Sequence, residues 1–122
     1  MEYDVIKGYL LLEGLIFRSD ALYENYFSKS CDIIIHFSVA TKKLMEIHYY
    51  YNRDINITEF KNLPFKLSKN KGDVSCCLKL YLPVCGSVYI NNGLYFKPEE
   101  GKSFPIKLNS KDFLKCLKEY AL

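Results

Sequence analysis

The sequence has no tryptophan, only two arginines and two histidines, and no long apolar run, and each shortage closes off a class of function. Its longest apolar stretch, Gly8 to Phe17, is broken by Glu13 and falls well short of the ~20 residues a membrane-spanning helix needs. The N-terminus does not suit a secretory signal either: Glu2 and Asp4 stand where positive charge is required, and no small-residue cleavage site follows. The expectation is a cytoplasmic protein without a membrane partner. Fifteen of the seventeen basic residues are lysine, and only Arg18 and Arg53 carry the planar fork that reads bases and phosphates bidentately. Dispersed lysines read as a solvated surface, which argues against a nucleic-acid partner. None of the six glycines falls in a G-x-G-x-x-G or G-x-x-x-x-G-K-[ST] frame, so nucleotide enzymes of those kinds are disfavoured. There is no C-x-x-C or H-x-x-x-H spacing, and a zinc site would have to be assembled from His36, His48 and Cys31 on remote strands. No metal and no cofactor are expected. The cysteines Cys31, Cys76, Cys77, Cys85 and Cys116 are odd in number and lie within or beside apolar runs, as free thiols of a reducing compartment do.

What the chain has in abundance is tyrosine and phenylalanine, eleven and eight among 122 residues, mostly inside short alternating runs bounded by Gly, Asn, Lys and Pro. Apolar residues make up 49% and charged residues 25%, without a Pro/Ser/Gly-rich tract or an internal repeat. Residues 1–122 read as a single ordered domain. The charge is unevenly placed. Residues 1–61 carry seven basic and nine acidic groups, and residues 62–122 carry ten basic and five acidic.

Local patterns give an element order. Tyr3 to Phe17 reads as a long strand, or as two joined at a bulge, with Gly8 and Gly14 marking bends. Ser19 is placed to cap a short helix over Asp20 to Phe27, whose Leu22, Tyr23, Tyr26 and Phe27 share a helical face. Asp32–Val39 and Leu44–Tyr51 form a hairpin across Ala40-Thr41-Lys42-Lys43. A helical turn near Ile57–Asn62, capped by Asn56 or Thr58, ends before Pro64. Phe65–Ser68 turns through residues 69–73 into Val74–Leu82. Asn91-Asn92-Gly93 joins Ser87–Ile90 to Leu94–Lys97, with a type I′ turn expected from Asn-Gly. Phe104–Leu108 is the last strand, and Asn109 caps a terminal helix with Phe113, Leu114, Leu117 and Tyr120 or Ala121 on its apolar stripe. The class is α+β: a mostly antiparallel sheet of sequential hairpins with a C-terminal helix packed on it.

Ile47-His48-Tyr49-Tyr50-Tyr51 sends large side chains to both faces of its strand. Ile47, Tyr49 and Tyr51 share the more apolar side; Glu46, His48 and Tyr50 share the more polar one, the candidate partner-binding surface. Glu46 and His48, two residues apart, also make the best proton-transfer pair in the chain, for a small hydrolase or nuclease. Tyr49 or Tyr51 beside lysines is a third possibility, a stacking platform for single-stranded nucleic acid. Tyrosine combines a stiff apolar body with a hydrogen-bonding tip, so surplus surface tyrosines without a catalytic motif read most simply as protein recognition.

The opening Met1-Glu2-Tyr3, the hairpin series and the ending Pro105-Ile106-Lys107-Leu108-Asn109-Ser110-Lys111-Asp112-Phe113-Leu114 resemble the small cytosolic immunity proteins of bacterial toxin systems, including contact-dependent growth inhibition. The resemblance implies a non-enzymatic inhibitor that plugs one toxin domain. Viral anti-defence or host-range inhibitors are similar in style.

Overall fold

The computed structural model describes residues 2–71 and 76–121. Its first element is a helix, α1 (Glu2–Leu12), where a strand is expected, and the reason lies in its two ends. Glu2 and Asp4 occupy the first turn, where the helix dipole favours negative charge. Beyond the last turn Gly14 takes φ +90°, the Gly14 amide donates to Leu11 O (3.0 Å) and the Leu15 amide to Leu10 O (3.1 Å). This is the glycine-closed helix end in which the residue after the glycine packs back on the helix, and Leu10 and Leu15 are both buried. Gly14 is therefore a helix stop and not a strand bend. Gly8 lies mid-helix with nothing within 4 Å of where a Cβ would stand. Gly8→Ala should stabilise the fold by roughly 0.5–1 kcal/mol and Gly14→Ala destabilise it by roughly 1–2 kcal/mol. Urea denaturation checks both, and shifts of the same sign would contradict this helix end.

Only β1 (Ile16–Ser19) remains of the strand expected over Tyr3–Phe17. The expected helix over Asp20–Phe27 is instead a turn followed by β2 (Tyr23–Phe27). Asp20 makes the turn, its Oδ1 accepting from the amides of Leu22 (2.9 Å) and Tyr23 (2.8 Å). The central hairpin is as expected, β3 (Ile33–Ser38) against β4 (Leu44–Tyr51), with a register shift between His36 and Phe37. Asn56 caps a 3-10 turn at Ile57–Glu59 through its Oδ1 and the Thr58 amide, 3.2 Å apart. β5 (Lys66–Lys71) pairs with β6 (Cys76–Tyr81), and the last two residues of the turn expected at 69–73 lie outside the described residues.

These strands form one antiparallel six-stranded sheet in the order β1-β2-β3-β4-β6-β5, so that β6 lies beside β4 and β5 is carried to the edge. A second sheet of three strands contains β7 (Ser87–Ile90), β8 (Leu94–Lys97) and β9 (Phe104–Ile106). The β7–β8 register pairs Ile90 with Leu94, leaving three loop residues instead of the two of a type I′ turn. Asn92 and Gly93 still take positive φ, 52° and 147°. α2 (Ser110–Ala121) closes the chain. Its cap is reciprocal: Asn109 Oδ1 accepts from the Asp112 amide (2.9 Å), and Asn109 Nδ2 donates to Asp112 Oδ2 (2.7 Å).

The class is thus α+β, with mostly antiparallel sheets and the C-terminal helix on the large sheet. Both helices and the small sheet share one core with a single face of the large sheet, the side carrying Tyr26, Ile33, Ile35, Phe37, Ile47, Tyr49 and Leu78. Aromatic rings fill the core in two groups. Under α1, Phe37 meets Tyr3 and Tyr26 edge-on at 5.2 and 5.6 Å. Under α2, Phe113 stacks on Tyr49 at 3.8 Å and 7° while Phe104 meets Phe65 and Tyr120 edge-on. No helix among the described residues is long and apolar enough to cross a membrane.

Candidate functional site

Because the other described elements pack on one side of the large sheet, they leave its other side open, and alternation places a definite set of residues there. Direct cross-strand partners share a face, so one row runs Arg18, Asn25, His36, Glu46, Tyr81, Lys66. The neighbouring row runs Ile16, Phe27, Ile34, His48, Lys79, Ser68. Tyr50 and Cys77 form the start of a third. Among the described residues no element covers this surface. Glu46, His48 and Tyr50 all lie on it half-buried, while Ile47, Tyr49 and Tyr51 are buried in the core.

A chain of polar contacts crosses the middle of the face. Asn25 Nδ2 donates to Asp20 Oδ2 at 3.0 Å, which leaves Asn25 Oδ1 as an acceptor, 2.5 Å from His36 Nδ1. His36 therefore carries its proton on Nδ1, and its buried Nε2 has no partner among the described residues. The His36 and His48 rings meet edge to face at 4.5 Å, and His48 Nε2 lies 3.2 Å from Glu46 Oε2. The carboxylate can only accept, so His48 is protonated on Nε2 and its Nδ1 is the lone-pair nitrogen. Tyr23 packs on the far side of His36 with ring centres 5.1 Å apart. Burial, with the His48 ring adding to it, lowers the His36 pKa from 6.5 to about 4, although Glu46 and Asp20 pull the other way. Burial lowers His48 as well, against the opposing pull of Glu46. Both rings are neutral at pH 7.

At the rims of the open face the rings are apolar. Arg18 lies over the Phe27 ring at 5.8 Å, Ile16 and Tyr81 are 40% and 38% exposed, and Ile34 and Phe27 lie between. Two cavities that could admit a small ligand are lined by neither Glu46 nor His48, although Tyr50 borders the second. One is enclosed by α1, the β3–β4 loop and β7; the other lies between the end of β4 and α2. The Glu46/His48 pair thus sits on a sheet surface instead of in a cleft.

Several expectations need correction. Tyr49 and Tyr51 are buried, 0% and 6% exposed, so they offer no stacking platform to a nucleic-acid strand. All five cysteines are free, and Cys76 and Cys77 point to opposite faces, but Cys31 and Cys85 are exposed and not apolar-buried. Cys31 sits between β2 and β3 at φ 60°. Among the described residues no three His, Cys, Asp or Glu side chains gather as metal ligands. Asn25 and Phe27 escape sequence reasoning because β2 reads as a helix, which hides its pairing with β3, whereas Ile34 lies on the expected hairpin opposite His48 and its apolar side chain does not mark the open face. The usable signal is Asp20 itself, a turn former ahead of alternating Tyr23-Glu24-Asn25-Tyr26-Phe27. Compared with protein-family models, with curated proteins and with solved structures, the chain matches none.

Proposed function

We propose that this chain is a non-catalytic protein-binding domain that docks one partner on the open face of its large sheet, in the manner of a cytoplasmic immunity protein blocking a toxin. The observation that carries the reading is the one-sided packing. Six strands present an uncovered face on which Ile16, Phe27, Ile34, Tyr50 and Tyr81 surround a polar band of Asn25, His36, Glu46, His48 and Lys79. Apolar and tyrosine anchors with interleaved hydrogen-bonding groups are the composition of a recognition surface. Five free thiols fit a reducing compartment. The neutral histidines also favour a partner: desolvating them on docking costs far less than desolvating an imidazolium.

The test starts from the gene neighbourhood: an adjacent reading frame for a toxin domain supplies the partner for calorimetric titration of the purified chain, and the absence of one counts against the immunity reading. Tyr50→Ala and Ile34→Arg should each weaken binding at least tenfold, with about 2 kcal/mol expected for Tyr50→Ala. Their melting temperatures should stay close to that of the parent. Unchanged affinity in both variants would remove the open face from the interface.

One observation favours a second reading, the 3.2 Å contact between His48 Nε2 and Glu46 Oε2, which orients a neutral imidazole as a general base does. A hydrolase or nuclease of this kind should show turnover on RNA, DNA or ester panels that His48→Ala reduces ~10²- to 10⁴-fold.

A further inference from the structure

The cleft between the end of β4 and α2 borders the open face at Tyr50, but its cationic wall takes no part in the docking surface. It is a cavity of about 740 Å³, in the range of small-molecule sites, and its wall includes Tyr51, Arg53, Lys111, Lys115 and Lys118. We propose that this cleft binds a small polyphosphate anion with the size and charge of a nucleoside di- or triphosphate.

The first argument is charge. Four cations line the cleft, no carboxylate does, and none of the four has an ion-pair partner among the described residues. Lys111, Lys115 and Lys118 follow each other at four- and three-residue steps, so they stack on one face of α2, where like charges repel and destabilise the helix. An anion in the cleft removes that repulsion. Of the acids nearest by, Glu119 follows Lys118 on α2 but does not line the cleft, and the others are already engaged. Asp32 accepts from Ser28 Oγ (2.7 Å), Ser30 Oγ (2.5 Å) and the Ser110 amide (2.9 Å). Asp54, beside Arg53 in the chain, is held by Lys69 at 2.8 Å and Lys71 at 3.7 Å, and Asp112 by Asn109.

The second argument is an orphan donor. Tyr51 is 6% exposed, and its hydroxyl is sealed from solvent without a hydrogen-bond partner among the described residues. A buried hydroxyl left unpaired is costly, and the wall of this cleft is where it is left. Burial raises its pKa, with the Asp32 charge adding to the rise and the Arg53 charge opposing it, and Arg53 lines the same cleft as the phenol. A phosphate oxygen bound in the cleft that Tyr51 and Arg53 line would supply the acceptor that the Tyr51 hydroxyl lacks.

The number and spread of cations select the anion. A single carboxylate would leave most of the four uncompensated, whereas a di- or triphosphate presents several charges within one compact group. Arginine grips phosphate bidentately and lysines act as point charges beside it.

Calorimetric titration with sodium tripolyphosphate and with ATP tests this, with inorganic phosphate and single-stranded thymidine oligonucleotides of increasing length as the other arms. Saturable one-to-one binding of tripolyphosphate and ATP is expected, at least tenfold tighter than phosphate. Arg53→Gln, and Lys111→Gln with Lys115→Gln, should each weaken it at least tenfold while leaving the unliganded protein folded. Tyr51→Phe should weaken it several-fold and yet raise the unliganded melting temperature, because it deletes an unpaired buried group. Ile34→Arg, on the open face but outside the cleft lining, should leave it unchanged, and Arg53→Gln should leave partner binding unchanged, which distinguishes the two sites although Tyr50 borders both. No saturation at millimolar tripolyphosphate, affinity unaltered by the Arg53 and lysine substitutions, a lowered melting temperature for Tyr51→Phe, or binding only of oligonucleotides with affinity growing with length would each overturn the proposal.

Discussion

Tyr49→Ala is expected to lower folding stability by about 3–5 kcal/mol, a large share of what a domain of this size possesses. The ring is fully buried at the centre of the large sheet and stacks on Phe113 of α2 at 3.8 Å, so truncation opens a void where helix and sheet meet. Its hydroxyl donates to Lys107 O at 2.6 Å, fixing the segment that leads into α2. Tyr49→Phe should therefore cost about 1 kcal/mol, the net worth of one such hydrogen bond. Tyr50→Ala, one residue along but on the open face, should change stability little. Urea denaturation of the three variants checks the order. Equal losses for Tyr49→Ala and Tyr50→Ala would mean that this strand is covered on both faces.

Acidification from pH 6.5 to 4 is expected to remove up to roughly 3 kcal/mol of stability, most of it through His36. The fold holds this ring neutral, with its pKa lowered from 6.5 to about 4, so the unfolded chain takes up the proton first as pH falls. The contribution is complete above pH 6.5 and is lost progressively toward pH 4. His48 is lowered too and acts in the same direction. Further acidification engages carboxylates instead. Burial raises the Asp32 pKa, but the Ser110 amide and the Ser30 and Ser28 hydroxyls outweigh it and hold the group low. Asp54, hydrogen-bonded to Lys69 and Cys76, is held at about 2. Their contributions are present above the ordinary carboxylate range and are lost as pH falls through the lowered values. Denaturation midpoints at pH 7, 5.5 and 4.5 should decline in the parent and decline much less in His36→Phe, where the His48 contribution remains. A parallel decline in both would assign the acid sensitivity to other groups.

How far the chain could be read in advance depended on whether a signal was local. The β3–β4 and β7–β8 hairpins, the Asn56 turn and the Asn109-capped α2 all carry their turn or cap residues next to their apolar pattern, and each forms where expected. Alternation along Leu44–Tyr51 also separates the two faces correctly, Tyr49 and Tyr51 inward and Glu46, His48 and Tyr50 outward. The reading of Tyr3–Phe17 and Asp20–Phe27 failed in opposite directions for one reason. Short runs dense in tyrosine, leucine and isoleucine satisfy helical and strand spacing alike, and propensity yields to tertiary packing. Ile6 and Leu10, one turn apart, bury on the sheet as a helix, and Tyr26 reaches the same core from a strand.

The sequence by itself determined the α+β class, the antiparallel pairing of neighbouring hairpins and the two-faced character of the central strand, because these follow from residue periodicity and turn chemistry over a few positions. Only the tertiary structure decided which face is covered, that β6 inserts beside β4, that Asn25, His36 and His48 meet across three strands, and that Arg53 faces the lysines of α2. Those arrangements join residues far apart in the chain, where no local pattern specifies a partner and the burial of one shared core selects among the possible packings.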